Sequence, residues 1–243
     1  MKTSLAHTLI VMPALNEEAS VADVIREVKE ALPGVHCLVV DDGSTDSTAR
    51  VATQAGANVI VLPFNLGVGG AMRAGFKYAL ANGFDNVVQV DSDGQHNPVE
   101  VNSLLEALDS ADLVLGSRFA GSRDYVVTGP RRWAMVVLAA VLSRVTGAKL
   151  DDTTSGFKAM GPKTVRLFAT HYPAEYLGDT IEALVIAARA HLVVKQVPVT
   201  MRQRAGGTPS HNPFKSAAYL GRASLALVFA LLRPASSLKV GTN

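Results

Sequence analysis

The chain has 243 residues, enough for one large α/β domain or two small ones. Hydrophobic residues make up 48% and charged residues 18%, and the mean hydropathy of +0.22 is on the apolar side for a soluble protein. A net charge of +2 is too small to argue for nucleic-acid binding, and a lone cysteine, Cys37, excludes an internal disulfide or a cysteine-built zinc site.

The N-terminal apolar stretch is broken by His7 and Thr8 and runs into Pro13-Ala14-Leu15-Asn16-Glu17, so it reads as a first strand and not as a signal peptide. Thr8–Val11, Cys37–Val40, Val59–Leu62, Val87–Val90 and Leu113–Leu115 are short apolar runs with almost no polar alternation. Strands buried on both faces look like this, which implies a parallel sheet covered by helices. Cys37 lies in the second run, where a buried, inert thiol is expected. Between the runs, Ala19–Ala31, Thr45–Ala55, Val68–Ala81 and Pro98–Leu108 are each long enough for a crossover helix. The repeated βα order predicts an open, mostly parallel, twisted α/β sheet with helices on both faces. Ligands in such sheets bind outside the carboxyl ends of the strands.

The second half is less regular. Ser117–Gly129 is a loop bearing Gly and Arg, Pro130–Thr146 a helix opening on Arg131-Arg132-Trp133, and Gly156–Met160 a short strand. Leu177–Ala190 is a periodic helix, Val193–Met201 a strand, Arg202–Pro213 a Gly/Pro/Ser-rich loop, and Lys215–Leu232 a final helix. We expect a single domain over residues 1–213, in two halves at about 1–116 and 117–213. Residues 214–243 then form an apolar helix and tail, interfacial or packed on the domain.

The polar motifs fall at strand ends. Asp91-Ser92-Asp93-Gly94-Gln95-His96 follows the fourth run, and alternate residues of extended chain point the same way. Two converging carboxylates repel unless a cation sits between them, and Mg²⁺ or Mn²⁺ suits oxygen ligands with positions left for phosphate. The competing reading is an acidic helix start, since Asn97-Pro98 can open a helix. Asp41-Asp42-Gly43-Ser44-Thr45-Asp46 follows the second run; its carboxylates suit a base N–H or a ribose hydroxyl, and helix capping is the plainer alternative. Asn65-Leu66-Gly67-Val68-Gly69-Gly70 is neither a dinucleotide fingerprint, because Met72 stands where a third glycine is due, nor a P-loop.

Taken together, Pro13-x-x-Asn16-Glu17, Asp41-Asp42-Gly43-Ser44-x-Asp46-x-Thr48, Asn65-x-Gly67 and Asp91-x-Asp93-x-Gln95-His96, in order at four strand ends, resemble the family 2 glycosyltransferases of the GT-A fold. The nearest likeness is to the dolichol- or polyprenyl-phosphate mannose synthase group. It continues through Gly116-Ser117-Arg118-Phe119, Arg131-Arg132 and Asp152-Thr153-Thr154-Ser155-Gly156-Phe157 to about Ser210. The resemblance implies a metal-dependent, inverting transfer of a hexose, mannose or glucose, from a GDP- or UDP-linked sugar to a polyprenyl phosphate. By the same resemblance Pro13, Ala14, Glu17 and Asp41 would line the nucleoside pocket, with Asp42 and Gly67 nearby, and Asp91, Asp93 and Gln95 would hold Mg²⁺ or Mn²⁺. Arg118, Arg131 and Arg132 would receive the acceptor's phosphate, and Arg202, Arg204 and Ser210 would lie on a basic loop that closes on the donor phosphates.

A phosphate monoester is already anionic, so Asp152 is expected to orient the sugar or the arginines and not to act as an obligate base. Asp152-Thr153 stands where the family has Asp-Pro, and the polar stretch His171–Thr180, with Glu175 and Asp179, leaves the sugar open. Trp133–Val141 and Ala223–Leu232 are apolar with basic flanks and too short to span a bilayer. They suit an enzyme lying on the cytoplasmic face of a membrane, or else pack on the sheet or on a second subunit. Two other readings are a family 2 enzyme with a soluble or saccharide acceptor and a non-catalytic nucleotide-sugar-binding module.

Overall fold

The five short apolar runs of the first half fall on strands of one seven-stranded sheet in the computed structural model, which describes residues 4–118, 130–173 and 179–202. The strands are β1 (Thr8–Ala14), β2 (His36–Asp41), β3 (Asn58–Val61), β4 (Asn86–Gln89), β5 (Leu113–Ser117), β6 (Lys158–Met160) and β7 (Val194–Pro198). Their spatial order is β3-β2-β1-β4-β6-β5-β7. Only β6 is reversed, pairing antiparallel with β4 and β5, and the other pairings are parallel. The chain therefore leaves β1 first toward β2 and β3, then toward β4. That reversal opens a crevice at the carboxyl ends of β1 and β4.

Helices α1 (Val21–Ala31), α2 (Thr48–Gln54), α3 (Gly67–Ala81), α4 (Val101–Leu108), α5 (Pro130–Thr146), α6 (Pro162–His171) and α7 (Asp179–Arg189) cover both faces. Alternation along the strands sorts the core into two layers. Leu9, Val11, Leu38, Val40, Val87, Leu113 and Leu115 meet Phe76 of α3, Leu142 of α5, Phe168 of α6 and Leu184 of α7. Ile10, Met12, Val39, Val88, Val90 and Val114 meet Ile25 and Val28 of α1, Ala52 of α2 and Leu104 of α4. Each of the larger side chains contributes about 1.5–3 kcal/mol over its exposed state. Phe76, Phe168 and Tyr172 add ring contacts at centroid distances of 5.0–5.5 Å. Cys37 is buried, and burial pushes its thiol up to about 11, so it is inert as expected.

Several boundaries differ from the expectation, each for a local reason. The second helix begins at Thr48 instead of Thr45, because the Asp46 carboxylate accepts from both the amide and the hydroxyl of Thr48. The last strand stops at Pro198, and Met201 makes an isolated bridge to His96. Helix α6 had no counterpart in the sequence reading, although Gly161-Pro162 supplies a proline at the first helical turn. Along α5, Leu138 and Leu142 are buried while Val136 and Val137 are exposed. No helix among the described residues is long and apolar enough to cross a membrane. The expected helix at 215–232 lies outside the described residues.

Candidate active site

Three loops meet at the ends of β1, β2 and β3. Parallel pairing sets Pro13 beside Val40 and Ala14 beside Asp41, so the two strand ends are level. Asn16, at φ +55°, turns the chain; its N–H donates to Ser44 Oγ and its Oδ1 accepts from the Thr45 N–H. The Glu17 amide donates to Thr48 Oγ1, and the Glu17 carboxylate accepts from Ser20. Asp41, 3% exposed, accepts from the Ser44 N–H at 2.8 Å. Asp42 takes the N–H groups of Leu66 and Gly67, one on each oxygen, at 2.7 and 2.8 Å. Burial raises the Asp42 pKa despite these bonds. Both Asp42 oxygens are thus engaged by the start of α3, which makes it a latch between the loops beside Asp41. Gly43, at φ +79°, lets the third loop cross within 3.0 Å of where a Cβ would stand.

The acidic stretch follows β4 directly. Asn97, not either aspartate, caps the helical turn at Pro98, so Asp91 and Asp93 do not serve as an acidic helix start. Ser92 Oγ donates across the crevice to the Pro13 carbonyl at 3.0 Å. Asp93 accepts from both the backbone and the side-chain amide of Gln95. Asp91 Oδ1 accepts from Gln89 Nε2 at 3.2 Å, and its amide donates to His96 Nδ1 at 2.9 Å. His96 is 2% exposed and stacks on Phe157 at 4.6 Å. Burial lowers its pKa, against Asp91 and Asp93, which favour the charged ring. The neutral imidazole accepts at Nδ1 and so carries its proton on Nε2, 3.5 Å from Asp91 Oδ2.

No group of three or more His, Cys, Asp or Glu among the described residues forms a closed metal cage. The donors present fit Mg²⁺ or Mn²⁺ nonetheless. Such ions take one or two carboxylates and complete their shell with phosphate oxygens and water. Asp91, moreover, is seated against a glycine: a Cβ on Gly156 would stand 2.9 Å from Asp91 Oδ2.

Beyond the acidic stretch, Arg118 and Asp152 form a fork. Arg118 Nε donates to Asp152 Oδ2 at 2.6 Å and Nη2 to Oδ1 at 3.0 Å, with Thr154 Oγ1 accepting a further bond from Nη2. Asp152 is fully buried, and its backbone is held by both ends of the Gln196 amide. The Arg202 guanidinium is bonded to Glu27 on α1 and to Asn97, while its amide donates to the Gln95 carbonyl. Arg131 and Arg132 stand in the first turn of α5, their side chains outside what is described, and Arg204 and Ser210 lie outside the described residues altogether. Gln89 was missed. Its signal was there to read, as the one polar residue in the run Val87–Val90.

The comparisons with known proteins agree with this geometry. The family model described as Glycosyl transferase family 2 matches residues 9–168. An undecaprenyl-phosphate mannosyltransferase of Micrococcus luteus is 32% identical over 203 residues, 81% of this chain and 84% of that protein. A polyprenol monophosphomannose synthase of Mycolicibacterium smegmatis is 35% identical over 160 residues, 63% of this chain and 60% of that one. Among solved structures, glucosyl-3-phosphoglycerate synthase from Mycobacterium tuberculosis, in complex with Mn²⁺, UDP and glucosyl-3-phosphoglycerate, superposes with a TM-score of 0.72 at 25% identity. That alignment covers 93% of this chain and 80% of the synthase. A family match over more than half the chain, on the same fold, settles the class: the chain belongs to glycosyl transferase family 2 and is a nucleotide-sugar-dependent glycosyltransferase.

Proposed function

We propose that this enzyme moves a hexose, mannose or glucose, from a GDP- or UDP-linked sugar to a polyprenyl phosphate, with inversion, at a membrane surface. One observation carries the reading. Asp152, the carboxylate best placed by sequence to serve as a base, is buried with both oxygens on Arg118. A hydroxyl acceptor needs a base to remove its proton, whereas a phosphate monoester arrives charged and needs a cation to receive it. Arg118, fixed by that fork, supplies a guanidinium whose orientation is already set. The names of the two relatives, a mannosyltransferase and a mannose synthase of polyprenyl phosphates, point the same way.

The donor end of the reaction falls to the crevice. Pro13, Ala14, Glu17 and Asp41 would hold the nucleoside, and Asp91, Asp93 and Gln95 would hold the ion against the diphosphate. Mg²⁺ or Mn²⁺, when bound, neutralises charge on the departing nucleoside diphosphate. Arg131, Arg132, Arg204 and Ser210 would complete the basic wall around the two phosphates. The test is turnover with GDP-mannose and UDP-glucose on polyprenyl phosphate in Mn²⁺, after a thermal-shift screen of the two nucleotides with and without the metal. Asp93→Ala should lower turnover on the order of 10³-fold. Equal transfer to a free saccharide without lipid phosphate would move the assignment to the saccharide-acceptor alternative.

A further inference from the structure

Gln89 lies two residues before Asp91, on the same face of β4, and is 2% exposed beside the core residues Val87 and Val88. Its Nε2 donates to Asp91 Oδ1, which dictates the orientation of the amide. Oε1 then faces away from the carboxylate, buried and without a hydrogen-bond partner among the described residues. A buried, unmatched acceptor costs stability, and a methionine would fill the same space without that cost. A glutamine here is explained by what its nitrogen holds.

Gly156 gives an independent sign of the same arrangement. The antiparallel register sets Lys158 of β6 opposite Gln89, and continued by two residues it sets Gly156 opposite Asp91. Gly156 does not have the positive φ that demands a glycine. What excludes a side chain is the acidic group itself: a Cβ would stand 2.9 and 3.3 Å from the two Asp91 oxygens and 3.3 Å from Gln89 Nε2.

We infer that Gln89 and Gly156 are positioning residues that aim the Asp91 carboxylate at the divalent ion, Gln89 by holding one oxygen and Gly156 by leaving room for both. The inference rests on Asp91 being a ligand of that ion. Supporting groups of this kind are worth about 10–100-fold in metal affinity. A purely structural role would tie weaker binding to a less stable fold, whereas aiming separates the two.

The experiment measures Mn²⁺ affinity of the full chain by electron paramagnetic resonance, with saturating UDP or GDP, alongside melting of the metal-free protein. Gln89→Met should weaken Mn²⁺ binding at least 10-fold while the melting temperature holds or rises by roughly 2–4 °C, because the unmatched acceptor is gone. Gly156→Ala should weaken Mn²⁺ similarly with little change in melting, since a carboxylate can swing aside where backbone cannot. Mn²⁺ affinity within twofold of wild type in either variant overturns the role given to that residue. Weaker binding accompanied by a fall of more than about 5 °C in both variants overturns the inference as a whole. A wild-type chain that binds no Mn²⁺ with either nucleotide instead removes the metal reading itself, a separate failure.

Discussion

The loops after β1, β2 and β3 and the segments after β4 and before β6 are both rich in carboxylates, yet they use them in opposite ways. In the first region the acids are matched to backbone amides: Asp41 to Ser44, Asp42 to Leu66 and Gly67, Asp46 to Thr48 and Glu18. In the second, side chains join backbone amides in the holding: Gln89 on Asp91, Gln95 through both its amides on Asp93, Arg118 on Asp152. An acid held by amides stitches loops together. An acid held in part by side chains can meet a mobile, charged ligand without unmaking the fold.

The contrast makes graded predictions. The largest stability effect should come from Asp152→Ala, which strips a fully buried carboxylate from Arg118. We expect a loss of about 3 kcal/mol, a fall of roughly 6–12 °C in melting temperature, and loss of lipid-phosphate turnover. A variant of wild-type stability would mean the fork is dispensable to the fold. Asp42→Asn should be milder, because the amide turns an NH₂ toward one of the two N–H donors now satisfied. About 1–2 kcal/mol should go, with Mn²⁺ affinity within twofold of wild type. A metal defect as deep as that of Asp93→Ala would erase the distinction between the regions.

The smallest effect is a pH slope. Partial burial works to raise the Asp46 pKa but is outweighed by bonds from Thr48 and the Glu18 amide, so it is held below 3.8. A depressed folded value contributes stability that is present above pH 3.8 and lost as pH falls through the folded pKa. Asp46→Asn should therefore be less stable than wild type at pH 7 and converge with it on acidification below about pH 4. Asp42, raised by burial, carries the opposite sign: its contribution is fullest below its ordinary value of 3.8 and fades as pH rises through the folded one. Melting curves that run parallel from pH 3 to 7 would contradict the Asp46 assignment.

The sheet was legible because buried parallel strands carry unbroken apolar runs, and β1 to β5 each coincide with one. The acidic stretch stood out too, as two aspartates right after a strand, with a cation site and a helix start both open as readings. What failed to show were relations between distant positions. Nothing local to Asp42 says that the amides of Leu66 and Gly67 lie against it, and nothing local to Arg202 announces Glu27. Gln89 was visible but passed as a blemish in an apolar run. Its meaning depends on Asp91 two residues on and on Gly156 across the sheet. Helix α6 was obscured by a mixed pattern of buried and exposed residues, in which Pro162 reads as a breaker unless its N-terminal position is recognised.

The two rims of the sheet bear on how the protein behaves in a crowded solution. An unpaired strand is a template on which another chain can add, the first step of ordered aggregation. Here β3, at one rim, is only four residues long, and β7, at the other, carries Lys195 and ends on Pro198, which has no N–H to offer. Among the described residues, neither rim therefore offers a long, unbroken ladder on which a second chain could add.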